Sequence, residues 1–202
     1  MSLTFEYRTG GEVLENKEWD RFWIESARDI RISRIWVIGD SITNGIMETF
    51  NDVMDYPYPV DGYVTSKSID NPYLIPMIEL FSRQQRYRNV IIFNNGLHGW
   101  HLNDTTDYAA YYEKTVAFLV ETYPETPLFL SLCTHLQDAE MDKRVVSRNN
   151  VIHSVAKKFN LPVIDHYTIV KNNPDLICRD GVHLTSYRPL CDNITENVAK
   201  YL

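Results

Sequence analysis

The stretch Arg34-Ile35-Trp36-Val37-Ile38-Gly39-Asp40-Ser41-Ile42-Thr43-Asn44-Gly45 decides the fold. Its apolar run, Ile35 to Ile38, stops abruptly at Gly39-Asp40-Ser41. A short apolar run without alternation reads as a strand covered on both faces, as in a parallel sheet. Gly39 permits a tight turn, and Ser41 falls where a following helix begins. The Ser41 hydroxyl is thereby expected at the carboxyl end of a central strand, where open α/β sheets place their sites. On position alone Ser41 reads at least as well as a helix N-cap, a role serine fills without any chemistry.

The far end of the chain adds a second signal. Arg179-Asp180-Gly181-Val182-His183-Leu184 sets a carboxylate and an imidazole three positions apart, just before a final helical segment. The chain order Ser41, Asp180, His183 is one in which a nucleophile, an orienting acid and a general base assemble on α/β scaffolds. The only rival pair, Asp165-His166, is adjacent in a strand, so its side chains point to opposite faces.

Both blocks resemble the SGNH/GDSL hydrolase family, which carries Gly-Asp-Ser after its first strand and Asp-x-x-His near its C-terminus. The resemblance runs from about residue 34 to the end of the chain. It implies an esterase with Ser41 as nucleophile, His183 as general base and Asp180 as its orienting acid, and it implies no cofactor. The family's two middle blocks are altered. Where it has an oxyanion-binding glycine after the second strand, this chain has Ser66, with Ser68 as the neighbouring alternative. A main-chain N–H can come from serine as well as glycine if the backbone angles suit a Cβ. Where the family has its oxyanion-hole asparagine, aligning Gly96 places His98, with Asn95 as the fallback donor. A neutral imidazole offers one N–H; a protonated one donates more strongly but only at lower pH. With the Ser41 N–H, these groups make up the expected oxyanion hole.

Around these blocks, strands are expected at residues 62–65, 89–93, 127–132 and 162–165. Helices are expected from Pro72, over 105–123 and over 142–159, following the apolar stripes. The resulting fold class is a three-layer α/β/α sandwich with a five-stranded parallel sheet of flavodoxin-like order, 1–202 forming one domain. Residues 1–30 make an N-terminal extension packed on it, with Trp19, Phe22 and Trp23 along one face of an amphipathic helix over 14–29. The loop Asp55 to Gly62, with two prolines and two tyrosines, is expected to wall the substrate cleft through Tyr58. Trp100 and Asp40 complete the expected substrate contacts. Exposed rings near a catalytic end favour a carbohydrate ester with a small acyl group, since sugars stack on aromatic faces.

Bulk composition narrows the remaining classes. The chain has 202 residues, 44% of them hydrophobic, enough for a sizeable core. A net charge of -7 leaves no basic stripe for a nucleic-acid partner. Three cysteines in no paired spacing fit free thiols in a cytoplasmic setting, although an export signal could have preceded Met1-Ser2-Leu3. No stretch is apolar for the length of a membrane span. His98 and His101 form His-x-x-His, but two imidazoles around Gly-Trp do not make a metal site, and none is expected. Two other readings remain open: a family member that binds an acylated glycan without turning it over, and an α/β interaction domain in which Ser41 is only a cap.

Overall fold

The computed structural model describes residues 6–9, 12–15, 17–29, 32–85, 87–102 and 105–202. The first five residues of the expected N-terminal extension lie outside them. Short strands β1 (Glu6–Thr9) and β2 (Glu12–Glu15) pair antiparallel by themselves. The main sheet is built from β3 (Asp20–Trp23), β4 (Ile35–Gly39), β5 (Val60–Thr65), β6 (Val90–Phe93), β7 (Leu128–Ser131) and β8 (Val163–Ile164). Its spatial order is β3-β5-β4-β6-β7-β8. The five strands from β4 onward are mutually parallel, and their order is the flavodoxin-like one. The helices between them are α1 (Ser41–Glu48), α2 (Leu74–Gln84), α3 (Thr105–Thr122), α4 (Ala139–Phe159), α5 (His166–Asn172) and α6 (Arg188–Val198). They flank the sheet, as a parallel sheet requires if its apolar strands are to be covered on both faces.

β4 shows how that covering works. Every one of its residues is buried. Trp36 stacks on Phe81 of α2 at 5.3 Å between ring centroids. Val37 instead shares a small void of about 20 Å³ with Ile46 of α1 and Ile194 of α6. Alternate side chains of one strand thus bury against different helical layers.

The sheet has six strands where five were expected, and the sixth corrects the reading of residues 14–29 as a helix. β3 runs antiparallel along the free edge of β5, with Asp20 opposite Thr65 and Trp23 opposite Gly62. Phe22 turns inward, edge-on to Tyr63 at 5.0 Å and Phe81 at 5.2 Å, while Trp23 is 41% exposed. Three aromatics at positions 19, 22 and 23 fit a helical face, but neighbours 22 and 23 fit a strand with one face in and one out equally well. The unpaired backbone groups of β5 decide between them, since an open sheet edge takes up any strand that reaches it. Among the described residues no helix is long and apolar enough to cross a membrane.

Candidate active site

Ser41 is the first residue of α1, directly after the carboxyl end of β4. The capping role falls to Asp40, whose Oδ1 accepts from the Ile42 N–H at 3.0 Å. Asp40 is 1% exposed, so it holds the helix and does not offer a surface to substrate, contrary to the sequence expectation. The Ser41 hydroxyl is left free of capping. It lies 2.8 Å from Nε2 of His183, 142 positions away in the chain. His183 Nδ1 in turn lies 2.7 Å from Asp180 Oδ2.

The loop that presents Asp180 and His183 is locally determined. Ile177 and Leu184 form an isolated antiparallel bridge, and the Cys178 N–H donates to the His183 carbonyl at 2.7 Å. At its tip Gly181 takes φ of 78°, a left-handed conformation that costs little without a Cβ. Asp180 Oδ1 then accepts the backbone N–H groups of Val182 and His183, both at 2.9 Å, an Asx turn that aims the other oxygen at the imidazole. Partial burial works against the charge, yet these N–H groups and the His183 ring hold the Asp180 carboxyl below the usual carboxylate range. Gly45 in α1 lets the loop come close: a Cβ there would stand 2.3 Å from the Tyr187 ring. The Tyr187 hydroxyl accepts from the Leu184 N–H at 3.4 Å, beside His183. The Asp180 and His183 side chains remain 52% and 44% exposed, so the site is open.

The opposite wall departs further from expectation. The Ser66 N–H donates to the Trp19 carbonyl at 3.1 Å, and the Ser66 hydroxyl accepts from the Trp19 N–H at 2.9 Å. Both groups are spent on the segment leading into β3, which removes Ser66 as an oxyanion donor. Ser68 lies close to the second expected loop, since a Cβ on Gly99 would come within 2.8 Å of the Ser68 Cβ. Asn95, the fallback donor, is 3% exposed and its amide donates to the Lys67 carbonyl at 2.9 Å. It ties the two loops together and is not presented to a ligand.

His98 is held on two sides. Its Nδ1 lies 2.5 Å from Glu15 Oε1 on β2, and its carbonyl accepts from the guanidinium of Arg148 at 2.7 Å. Arg148 also donates to the Gly96 carbonyl at 2.9 Å, pinning the loop to α4. Burial disfavours charge on His98, but the Glu15 carboxylate raises its pKa above the ordinary imidazole value, with Asp40 assisting and Arg148 opposing. Sequence reading missed both partners. Arg148 was detectable in principle, because it sits three and four positions from Val145 and Ile152 on the buried stripe of α4 and is 2% exposed. Glu15 carried no local signal.

Two expected substrate contacts lie elsewhere. Trp100 is 9% exposed, with the guanidiniums of Arg144 and Arg148 over its ring at 4.8 and 4.5 Å, so no sugar can stack on it. Tyr58 precedes β5, and the adjoining Pro59 carbonyl accepts from the Ile35 N–H at 3.1 Å, at the amino end of β4. A five-residue strand is about 16 Å long, so Tyr58 sits at the wrong end of the sheet. The rival pair Asp165-His166 is also structural. Asp165 caps α5, while His166 contacts the Ser131 hydroxyl at 2.8 Å and burial pushes its pKa down to about 4. His101 pairs with Asp70 at 2.6 Å, and among the described residues no cluster of His, Cys, Asp and Glu is arranged to hold a metal.

Parallel strands in flavodoxin-like order, with Ser41 after β4 and the Asp180–His183 loop before α6, give the chain the SGNH/GDSL hydrolase fold. No family model matches the sequence, and no curated protein does. Among solved structures, the acetyl xylan esterase AlAXEase superimposes with a TM-score of 0.64 at 20% identity, over 82% of this chain and 99% of that one. A GDSL-like lipase from Bacteroides thetaiotaomicron gives 0.64 at 17% identity, over 84% and 89%. Axe2, an acetylxylan esterase from Geobacillus stearothermophilus, gives 0.60 at 17% identity, over 82% and 94%.

Proposed function

We propose that this chain is a serine esterase of the SGNH/GDSL type that removes a small acyl group, acetyl above all, from a carbohydrate. The reading is carried by one observation, the run of contacts from Ser41 Oγ to His183 Nε2 at 2.8 Å and from His183 Nδ1 to Asp180 at 2.7 Å. Ser41 Oγ attacks the acyl carbon while its proton passes to His183 Nε2. The tetrahedral intermediate collapses, the ester C–O bond breaks, and His183 returns the proton to the leaving alcohol. Water then attacks the acyl-serine with His183 again as base, releasing the carboxylic acid. Asp180 fixes the imidazole tautomer and stabilises its charged form. The developing oxyanion is received by the N–H groups of Ser41 and Ser68, the latter in place of Ser66, and by the His98 side chain. Acyl transfer by this route draws on no cofactor. Residues 1–202 act as one hydrolase unit in this reading, the N-terminal segment included.

Tyr58 lies at the far end of the sheet and Trp100 is covered by two arginines, so neither ring stacks on a sugar at the triad. The carbohydrate reading is supported instead by likeness to two acetyl xylan esterases and by a triad open enough to admit a bulky alcohol. A chain-length series of nitrophenyl esters, run beside an acetylated xylo-oligosaccharide, tests it. Acetate release from both acetyl substrates with a steep fall for longer acyl chains is the expected result. Rates that rise with chain length, or no release from the glycan, contradict the substrate assignment.

A further inference from the structure

Glu15 and His98 meet at 2.5 Å across 83 positions of sequence, with side-chain exposures of only 7% and 16%. The charged groups acting on the imidazole are Glu15 on β2, Asp40 ahead of α1 and Arg148 on α4. A carboxylate against Nδ1 requires a proton there. In a neutral ring that proton is the only one, so Nε2 would carry a lone pair and repel an oxyanion. In an imidazolium both nitrogens donate.

We infer that Glu15 is the positioning residue of the oxyanion wall: by accepting a hydrogen bond from His98 Nδ1, it fixes the ring and keeps it an imidazolium whose Nε2–H serves the acyl oxygen. The inference rests on the esterase reading above. It gives the N-terminal hairpin, which lies outside the resemblance to the family, a part in the chemistry. It also explains how a histidine replaces an amide: a carboxylate supplies the second donor that the neutral ring lacks.

The test is the pH profile of kcat for acetyl-ester hydrolysis in wild type, Glu15→Gln, His98→Asn and the double variant. Without the carboxylate, burial drives His98 to neutrality. Glu15→Gln should therefore pull in the alkaline limb, with kcat on the alkaline side falling about ten-fold and the acid limb unmoved. His98→Asn should lack a limb of that origin, and adding Glu15→Gln to it should cost nothing further. An unchanged profile in Glu15→Gln, or an equal loss at every pH, would overturn the inference, since a merely structural role predicts one of those. Nitrogen NMR of the wild-type His98 ring reads the state without any variant: both nitrogens protonated at neutral pH agrees, and a neutral ring overturns it. Failure of the esterase reading shows separately, as activity that persists in Ser41→Ala.

Discussion

The two walls of the site are built by opposite means. The wall that carries Asp180 and His183 is local: one Asx turn, one bridge and one left-handed glycine within eight residues set the carboxylate against the imidazole. The wall facing it is assembled from distant segments. Glu15 reaches His98, Trp19 engages Ser66, Asn95 ties to Lys67, and Arg148 ties down the loop from Gly96 to Gly99. A local turn assembles with little loop-closure entropy and leaves a short-range trace in sequence. A wall stitched from four segments leaves none, and its precision depends on every tie.

Substitutions can break this contrast or sharpen it. The largest effect is expected where the local wall meets the nucleophile: Ser41→Ala and His183→Ala should each cost roughly 10⁶ in kcat, and the double variant hardly more, because the residues act as one unit. Additive losses in steady-state kinetics would show that they do not. Asp180→Asn should cost roughly 10⁴, since it upsets the tautomer while the loop geometry stays. On the stitched wall, His98→Ala should lower kcat by roughly 10² to 10³ with little change in KM, the size of one lost side-chain donor. His98→Asn should recover part of that. Full kcat in well-folded His98→Ala would return His98 to a loop-holding role.

A titrating group away from both walls provides the control. Burial pushes the Asp61 carboxyl up to about 6, against the pull of Arg34 at 3.1 Å. A pKa raised above the unfolded value of 3.8 means that the contribution to stability is fully present below about pH 4 and is lost as pH rises through about 6. Denaturant titrations should show the wild type losing about 3 kcal/mol relative to Asp61→Asn across that window, at about 1.4 kcal/mol per unit. The pH profile of kcat should keep its shape in Asp61→Asn.

What was legible in sequence follows the same division. β4, Ser41 and the Asp180–His183 pair were readable because each signal is contiguous: an apolar run ending in Gly-Asp-Ser, and a carboxylate three positions from an imidazole. The assignment of Ser66 failed because its N–H is taken by Trp19, 47 positions earlier, just ahead of an edge strand that periodicity over 14–29 could not tell from a helix. Tyr58 failed for a topological reason, since a loop before a parallel strand lies at the opposite end of the sheet from the loop after it. Trp100 failed because two arginines from α4 cover it, and a tryptophan in a loop gives no sign of what will lie on its face. Asp40, expected to touch substrate, caps α1 for a simpler reason: Asp and Ser can both cap a helix, and only the structure shows which oxygen receives the N–H.

Hydrolysis by this route requires Ser41 to be an activated nucleophile. Intact-mass analysis and peptide mapping after treatment with a fluorophosphonate test it most directly. One adduct per chain, on Ser41, absent in Ser41→Ala and strongly slowed in His183→Ala, is the predicted result. Folded wild-type protein that takes up no adduct, or takes it up on another residue, would contradict the account.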